Sequence, residues 1–171
     1  MNDKTIVTEE PNVSIIVLMN EYKEFLPIFT HNYNTINYPQ DKLEWIIIDD
    51  SEKSNFDLFP LEENVLYFHM DDPKEYLEKI DFKDKLKIKK SVNDSVELNT
   101  DGSGEGDEEV DEDEEKIKNY FLKTNTLPNG FKRDYGVGLS SYDYILHMDI
   151  DSYYDPKVIK RKLRFLKKNR L

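Results

Sequence analysis

Two aspartates separated by a single isoleucine close an apolar run in residues 144–156, YILHMDIDSYYDP. If the run is a strand, side chains alternate, so Asp149 and Asp151 share one face while Ile150 turns toward the packing. Two carboxylates aimed the same way repel each other, and dehydrating them is costly unless something positive lies between them. Hard oxygen donors at this spacing suit Mg²⁺ or Mn²⁺, with the remaining coordination positions left to water or phosphate. A metal-bound diphosphate fits best. A second acidic pair, Asp49 and Asp50, closes the run WIIIDDS. Acids also end strands as turn formers or caps, so a lone D-x-D is weak and its context has to decide.

Those acids need strands to carry them. VSIIVL at Val13–Leu18, WIII at Trp45–Ile48, NVLYFH at Asn64–His69 and DYILHMD at 143–149 read as four strands, the first two apolar enough to be covered on both faces. Helical spacing of Phe25, Ile28, Phe29, Asn32 and Ile36 predicts a helix starting near Phe25, with Pro27 in its first turn. DDPKEYLEKI opens a second helix with Asp72 as cap. FKRDYGVGLSSY reads as a short helix, and Asp155–Pro156 starts one that runs to about Asn169. Strands alternating with helices predict an α/β fold, a Rossmann-like, mostly parallel sheet with flanking helices. Ligands of such sheets bind beyond the carboxyl ends of the strands, where both acidic pairs fall. His147 shares the face of Asp149, one pleat deeper, and is expected to be packed and hydrogen-bonded.

Of the 171 residues, 37% are hydrophobic and 35% charged, which suggests that part of the chain is not packed. The net charge of −12 disfavours a nucleic-acid partner, but it is concentrated: residues 101–115 hold ten acids and no base, and taking those ten away leaves −2. Periodicity vanishes over 91–115, where glycine, serine and acids cannot bury enough apolar surface to offset their ordering entropy. The expected organisation is one domain in two parts, 12–90 and 116–171, around a disordered acidic insertion at 91–115. Cysteine is absent, so disulfides and thiolate metal sites are excluded. The first residues are polar and acidic, unlike a secretory signal, and no apolar run approaches the roughly 20 residues a spanning helix needs. A soluble protein on the cytosolic side is expected. The last helix, KVIKRKLRFLKKNR, carries eight bases and no acid. It could touch an anionic membrane peripherally, although its stripe of Val158, Ile159, Leu163 and Leu166 favours a core helix.

Taken together and in order, VSIIVLMNEYKEFLPIFTHNYNTINYPQDKLEWIIIDDSEKS and GFKRDYGVGLSSYDYILHMDIDSYYDP resemble the GT-A glycosyltransferases, family-2-like. The resemblance covers about residues 12–60 and 130–168, the nucleotide-sugar-binding half of such a domain. It implies a UDP- or GDP-sugar as donor and an acceptor of unknown identity. Asp149 and Asp151 would hold Mn²⁺ or Mg²⁺ against the donor diphosphate, so Asp149 counts as donor-binding as well. Asp50, with Asp49 beside it, would hydrogen-bond the base, and Arg133, with Lys132 beside it, would approach the diphosphate. The chemistry agrees, because a departing nucleoside diphosphate builds negative charge that a cation and a guanidinium stabilise. The sequence also departs from the family. Leu18-Met19-Asn20-Glu21 stands where Pro-Thr-Tyr-Asn is usual, leaving Tyr22 as the nearby aromatic. Asp134 stands where Asn is usual. The acceptor-side carboxylate that serves as base in inverting members has no counterpart, so a remnant that binds without turnover is the alternative. A phosphatase of the haloacid dehalogenase type, whose D-x-D site MDIDSY mimics, is the lesser one.

Overall fold

The computed structural model describes residues 10–20, 23–60, 62–77 and 108–169. The chain divides into two compact units, Met1–Asp71 with Asn129–Leu171, and Asp72–Pro128.

The first unit is built on four parallel strands: β1 (Val13–Met19), β2 (Leu43–Asp49), β3 (Val65–His69) and β4 (Tyr144–Asp149). Their order across the sheet is β3-β2-β1-β4. Ile16 of β1 lies level with Ile46 of β2 on one side and His147 of β4 on the other. The two central strands are buried nearly throughout, as their unbroken β-branched runs require. The outer strands are not: β3 is half-buried along its length, while β4 buries Leu146 and Met148 and exposes His147 and Asp149.

Helix α1 (Leu26–Thr35) follows a short 3-10 turn at Lys23–Phe25 and carries Pro27 at its start, where a missing N–H costs nothing. Its Phe29 ring meets Trp45 edge-on at 5.6 Å and Phe59 at 5.0 Å, pinning the helix to one sheet face. That face shares one buried cluster with Ile159 and Leu163 of the last helix, Val158–Asn169. The opposite face receives the helix Asn129–Leu139. It approaches so closely that a Cβ on Gly136 would lie 2.8 Å from Cγ2 of Ile16.

In the second unit, α2 (Pro73–Leu77) starts as expected, with Asp72 Oδ1 accepting the Lys74 N–H at 3.0 Å. The residues beyond, including the expected disordered stretch as far as 107, lie outside the described residues. At its end that stretch differs from expectation, because Glu108–Thr124 forms a helix, α3. Asn125, at φ 50°, ends α3 in a left-handed turn, with the Thr126 N–H reaching the Phe121 carbonyl at 3.3 Å. The helices Asn129–Leu139 and Val158–Asn169 are α4 and α5 below. No helix among the described residues is long and apolar enough to cross a membrane.

Candidate functional site

The strand order places β2 on one side of β1 and β4 on the other, so the chain reverses its winding direction beside β1, where parallel sheets open a crevice. Both acidic pairs reach this edge: Asp49 lies level with Met19, and Asp149 level with Leu18. Helix α4 spans them. Residues four apart share a helix face, so Lys132 and Gly136 both turn to the sheet, and Arg133 sits one step round.

Lys132 Nζ donates to Asp50 Oδ1 at 2.8 Å, and both side chains are buried, at 2% and 0% exposure. Arg133 Nη2 donates to Asp149 Oδ1 at 2.9 Å in the open, at 37% and 59% exposure. Two consecutive residues of one helix thus bridge to strands on either side of β1. Beneath the second bridge, Ile150 is buried while Asp149 and Asp151 are exposed, the alternation expected of the D-x-D. Asp151 Oδ1 accepts the Ser152 hydroxyl at 3.1 Å.

Asp49 is the residue expected beside the base of a donor. Its carboxylate is fully buried, and the protein takes both oxygens. Oδ1 accepts from Ser51 N at 2.9 Å and Ser51 Oγ at 2.5 Å; Oδ2 accepts from Asn55 N at 3.2 Å, Asn55 Nδ2 at 2.9 Å and the Tyr67 hydroxyl. Burial alone would raise its pKa, but the bonds from Ser51, Tyr67 and Asn55 outweigh it and hold the carboxyl below its ordinary value. Burial, and then the Asp49 bond, push the Tyr67 phenol up to about 12. Asp49 therefore organises the loop after β2. Asp50 and Lys132, expected at base and diphosphate, satisfy each other in the interior instead of facing the crevice. His147 also differs: it is exposed, and partial burial together with the Arg133 charge lowers its pKa. Tyr22 and Glu21 lie outside the described residues.

Sequence reasoning missed the mount of the acidic loop. Asn32 on α1, only 3% exposed, donates Nδ2 to the Ser152 carbonyl at 2.8 Å and accepts the Tyr154 N–H on Oδ1 at 3.0 Å. The Tyr154 hydroxyl in turn accepts the Asp149 N–H at 2.8 Å. A polar residue inside the apolar stripe of α1 was the available signal, since buried polar side chains are kept for the bonds they make.

Among the described residues no group of three or more His, Cys, Asp or Glu side chains gathers as a metal cage. Asp149 and Asp151 are exposed carboxylates, hard oxygen donors of the kind that Mg²⁺ or Mn²⁺ takes together with phosphate and water. A groove of about 950 Å³ runs elsewhere, between β4 and α5, lined by Tyr144, Leu146, His147, Lys162 and Phe165 among others. It holds neither aspartate of the D-x-D. On α5, Leu166 departs from the expected buried stripe, being 47% exposed, beside Phe165 at 68%.

No protein-family model matches the chain, and no curated protein sequence does. Solved structures do. The chain is similar to residues 1–349 of S. aureus TarS, with a TM-score of 0.51 and 12% identity over 92% of this chain and 32% of that one. The complex of the same TarS fragment with UDP-GlcNAc gives a TM-score of 0.50 at 12% identity, over 92% and 31% of the two chains. At that identity the likeness shows the fold alone, a Rossmann-like parallel sheet flanked by helices, and the chain spans about a third of the neighbour's length.

Proposed function

We propose that this chain is the nucleotide-sugar-binding part of a metal-dependent glycosyltransferase of GT-A type, holding a UDP- or GDP-sugar by its diphosphate. One observation carries the reading: Arg133 bridges to the exposed Asp149 at the carboxyl edge of the sheet, where the winding reverses, with the exposed Asp151 two residues further on. The UDP-GlcNAc complex of TarS supports a nucleotide sugar as ligand.

Asp149 and Asp151 would hold Mn²⁺ or Mg²⁺, and the cation would neutralise charge on the diphosphate. Arg133 offers a planar fork suited to phosphate oxygens, and its exposed bond to Asp149 is weak enough to be exchanged for one. The Lys132–Asp50 pair stays buried in the interior, away from solvent. A base reaching Asp50 has first to draw the ammonium away, so donor binding through Asp149, Asp151 and Arg133 is the primary contact. Transfer to an acceptor also requires a group that deprotonates the acceptor hydroxyl, and none of these residues is placed to do so.

Calorimetric titration with UDP and with GDP, each with and without Mn²⁺, tests the reading on the wild type and on Asp151→Ala. Binding should need the metal and be lost in the variant. Equal affinity in both proteins would refute the site.

A further inference from the structure

Exposed carboxylates make a selective site only if the backbone beneath them is held still. Asp151 stands beyond the last paired residue of β4, which is Asp149, so no strand ladder fixes it. What fixes the loop comes from α1, 120 residues earlier in the chain. The Asn32 amide pairs with the backbone as a neighbouring strand would, giving to Ser152 and taking from Tyr154. Asn37 N, just past the end of α1, donates to the Pro156 carbonyl at 2.8 Å. From above, the Tyr154 hydroxyl accepts the amide of Asp149 itself, and the Ser152 N–H closes the turn onto the Asp149 carbonyl at 3.3 Å. The two acids thus sit at the ends of a turn clasped at Ser152, Tyr154 and Pro156.

We infer that Asn32 is the positioning residue of the D-x-D: by clasping both sides of Tyr153 it sets where Asp151 stands relative to Asp149, and so sets cation affinity without touching the cation. Neither the resemblance nor the fold likeness assigns this role. The inference rests on the proposed metal site, and it explains why α1 buries an amide where its neighbours along the stripe are apolar. Losing the clasp frees the turn, and the two carboxylates then have to be ordered when the cation binds. Supporting groups of this kind typically cost 10–100-fold in metal affinity when removed.

The test uses Asn32→Leu, of similar size and without either bond, and Tyr154→Phe, which keeps the ring and loses only the hydroxyl that holds Asp149. Mn²⁺ binding in the presence of UDP is followed by the paramagnetic signal of the free ion, and amide hydrogen exchange is measured at Asp149 and Tyr154. Faster exchange at both amides and at least tenfold weaker Mn²⁺ binding in Asn32→Leu are expected, with a smaller shift of the same sign in Tyr154→Phe. Wild-type Mn²⁺ affinity in a variant whose loop amides exchange faster would overturn the inference, and so would unchanged exchange. If Asn32→Leu does not fold, Tyr154→Phe decides by the same two readouts. Should the wild type itself bind no Mn²⁺ with UDP, the proposed function falls and takes the metal role of Asn32 with it; faster exchange in Asn32→Leu would then mark a purely structural clasp.

Discussion

Lys132→Met is the sharpest perturbation the structure offers. Lys132 Nζ and Asp50 Oδ1 are 2.8 Å apart, with side chains 2% and 0% exposed. At that separation the attraction is about 6 kcal/mol for an effective dielectric of about 20. Taking both ions out of water costs several kcal/mol each, so the intact pair contributes little net stability. Removing one partner is different, because the other charge stays in place. The methionine side chain would fill the volume of the lysine stem, but the Asp50 carboxylate would be left inside without its counter-cation, at a cost of about 3–5 kcal/mol. Lys132→Met combined with Asp50→Leu removes both charges and should return to within about 1 kcal/mol of the wild type. Urea unfolding followed by circular dichroism at neutral pH reads all variants, through the midpoint at constant slope. A single-variant loss below about 1 kcal/mol would refute the reasoning, because it would mean that water reaches Asp50. A double variant no better than the worse single one would refute it equally, since the cost would then lie in packing and not in charge.

Other consequences can be checked separately. Because bonds from Ser51, Tyr67 and Asn55 hold the Asp49 carboxyl below its ordinary value, its stabilisation is complete above about pH 4 and fades as pH falls through the lower folded value. Asp49→Asn should flatten that part of an acid-unfolding curve, and an unaltered curve would count against the network. Gly136→Ala drives a methyl to 2.8 Å from Ile16 Cγ2 and should destabilise by about 1–3 kcal/mol, which a thermal melt of the variant decides. Glu44 sits at the opposite, amino edge of the sheet, accepting from Ser14 Oγ at 2.8 Å and from Ser141 N and Oγ at 3.0 and 2.6 Å. Glu44→Ala strands those donors at a cost of about 1–3 kcal/mol while leaving Mn²⁺–nucleotide affinity unchanged, which calorimetry would show.

The strands were legible because unbroken β-branched runs have few other uses, and Asp72 and Pro73 marked a helix start by their chemistry. The exposure of Asp149 and Asp151 around a buried Ile150 followed from alternation alone. Composition gave no sign of the helix Glu108–Thr124, whose first residues carry no apolar periodicity. Adjacent residues were the harder problem. Asp49 and Asp50 look alike in sequence, yet alternation sends Asp49 into the loop network and Asp50 toward α4. Lys132 and Arg133 likewise differ by one step around a helix, which sends one inward and the other into water. Pairings between residues 50 and 132, or 32 and 152, are set by packing across the sheet, and no local pattern encodes them.

On the proposed donor site, that single step around α4 decides which base would meet the diphosphate. Releasing Arg133 from Asp149 costs at most about 1 kcal/mol, since the pair is open to solvent and the guanidinium finds phosphate oxygens in exchange. Releasing Lys132 leaves the Asp50 carboxylate buried without its counter-cation, at several times that cost, which one phosphate contact does not cover. The two expected diphosphate ligands are therefore unequal: Arg133 can turn, and Lys132 is held. Arg133→Met should weaken Mn²⁺–UDP binding with little loss of stability, whereas any loss of binding in Lys132→Met should track its loss of fold. Calorimetry alongside thermal melts separates the two, and weakened binding in a fully folded Lys132→Met would show that the buried pair does open to the ligand.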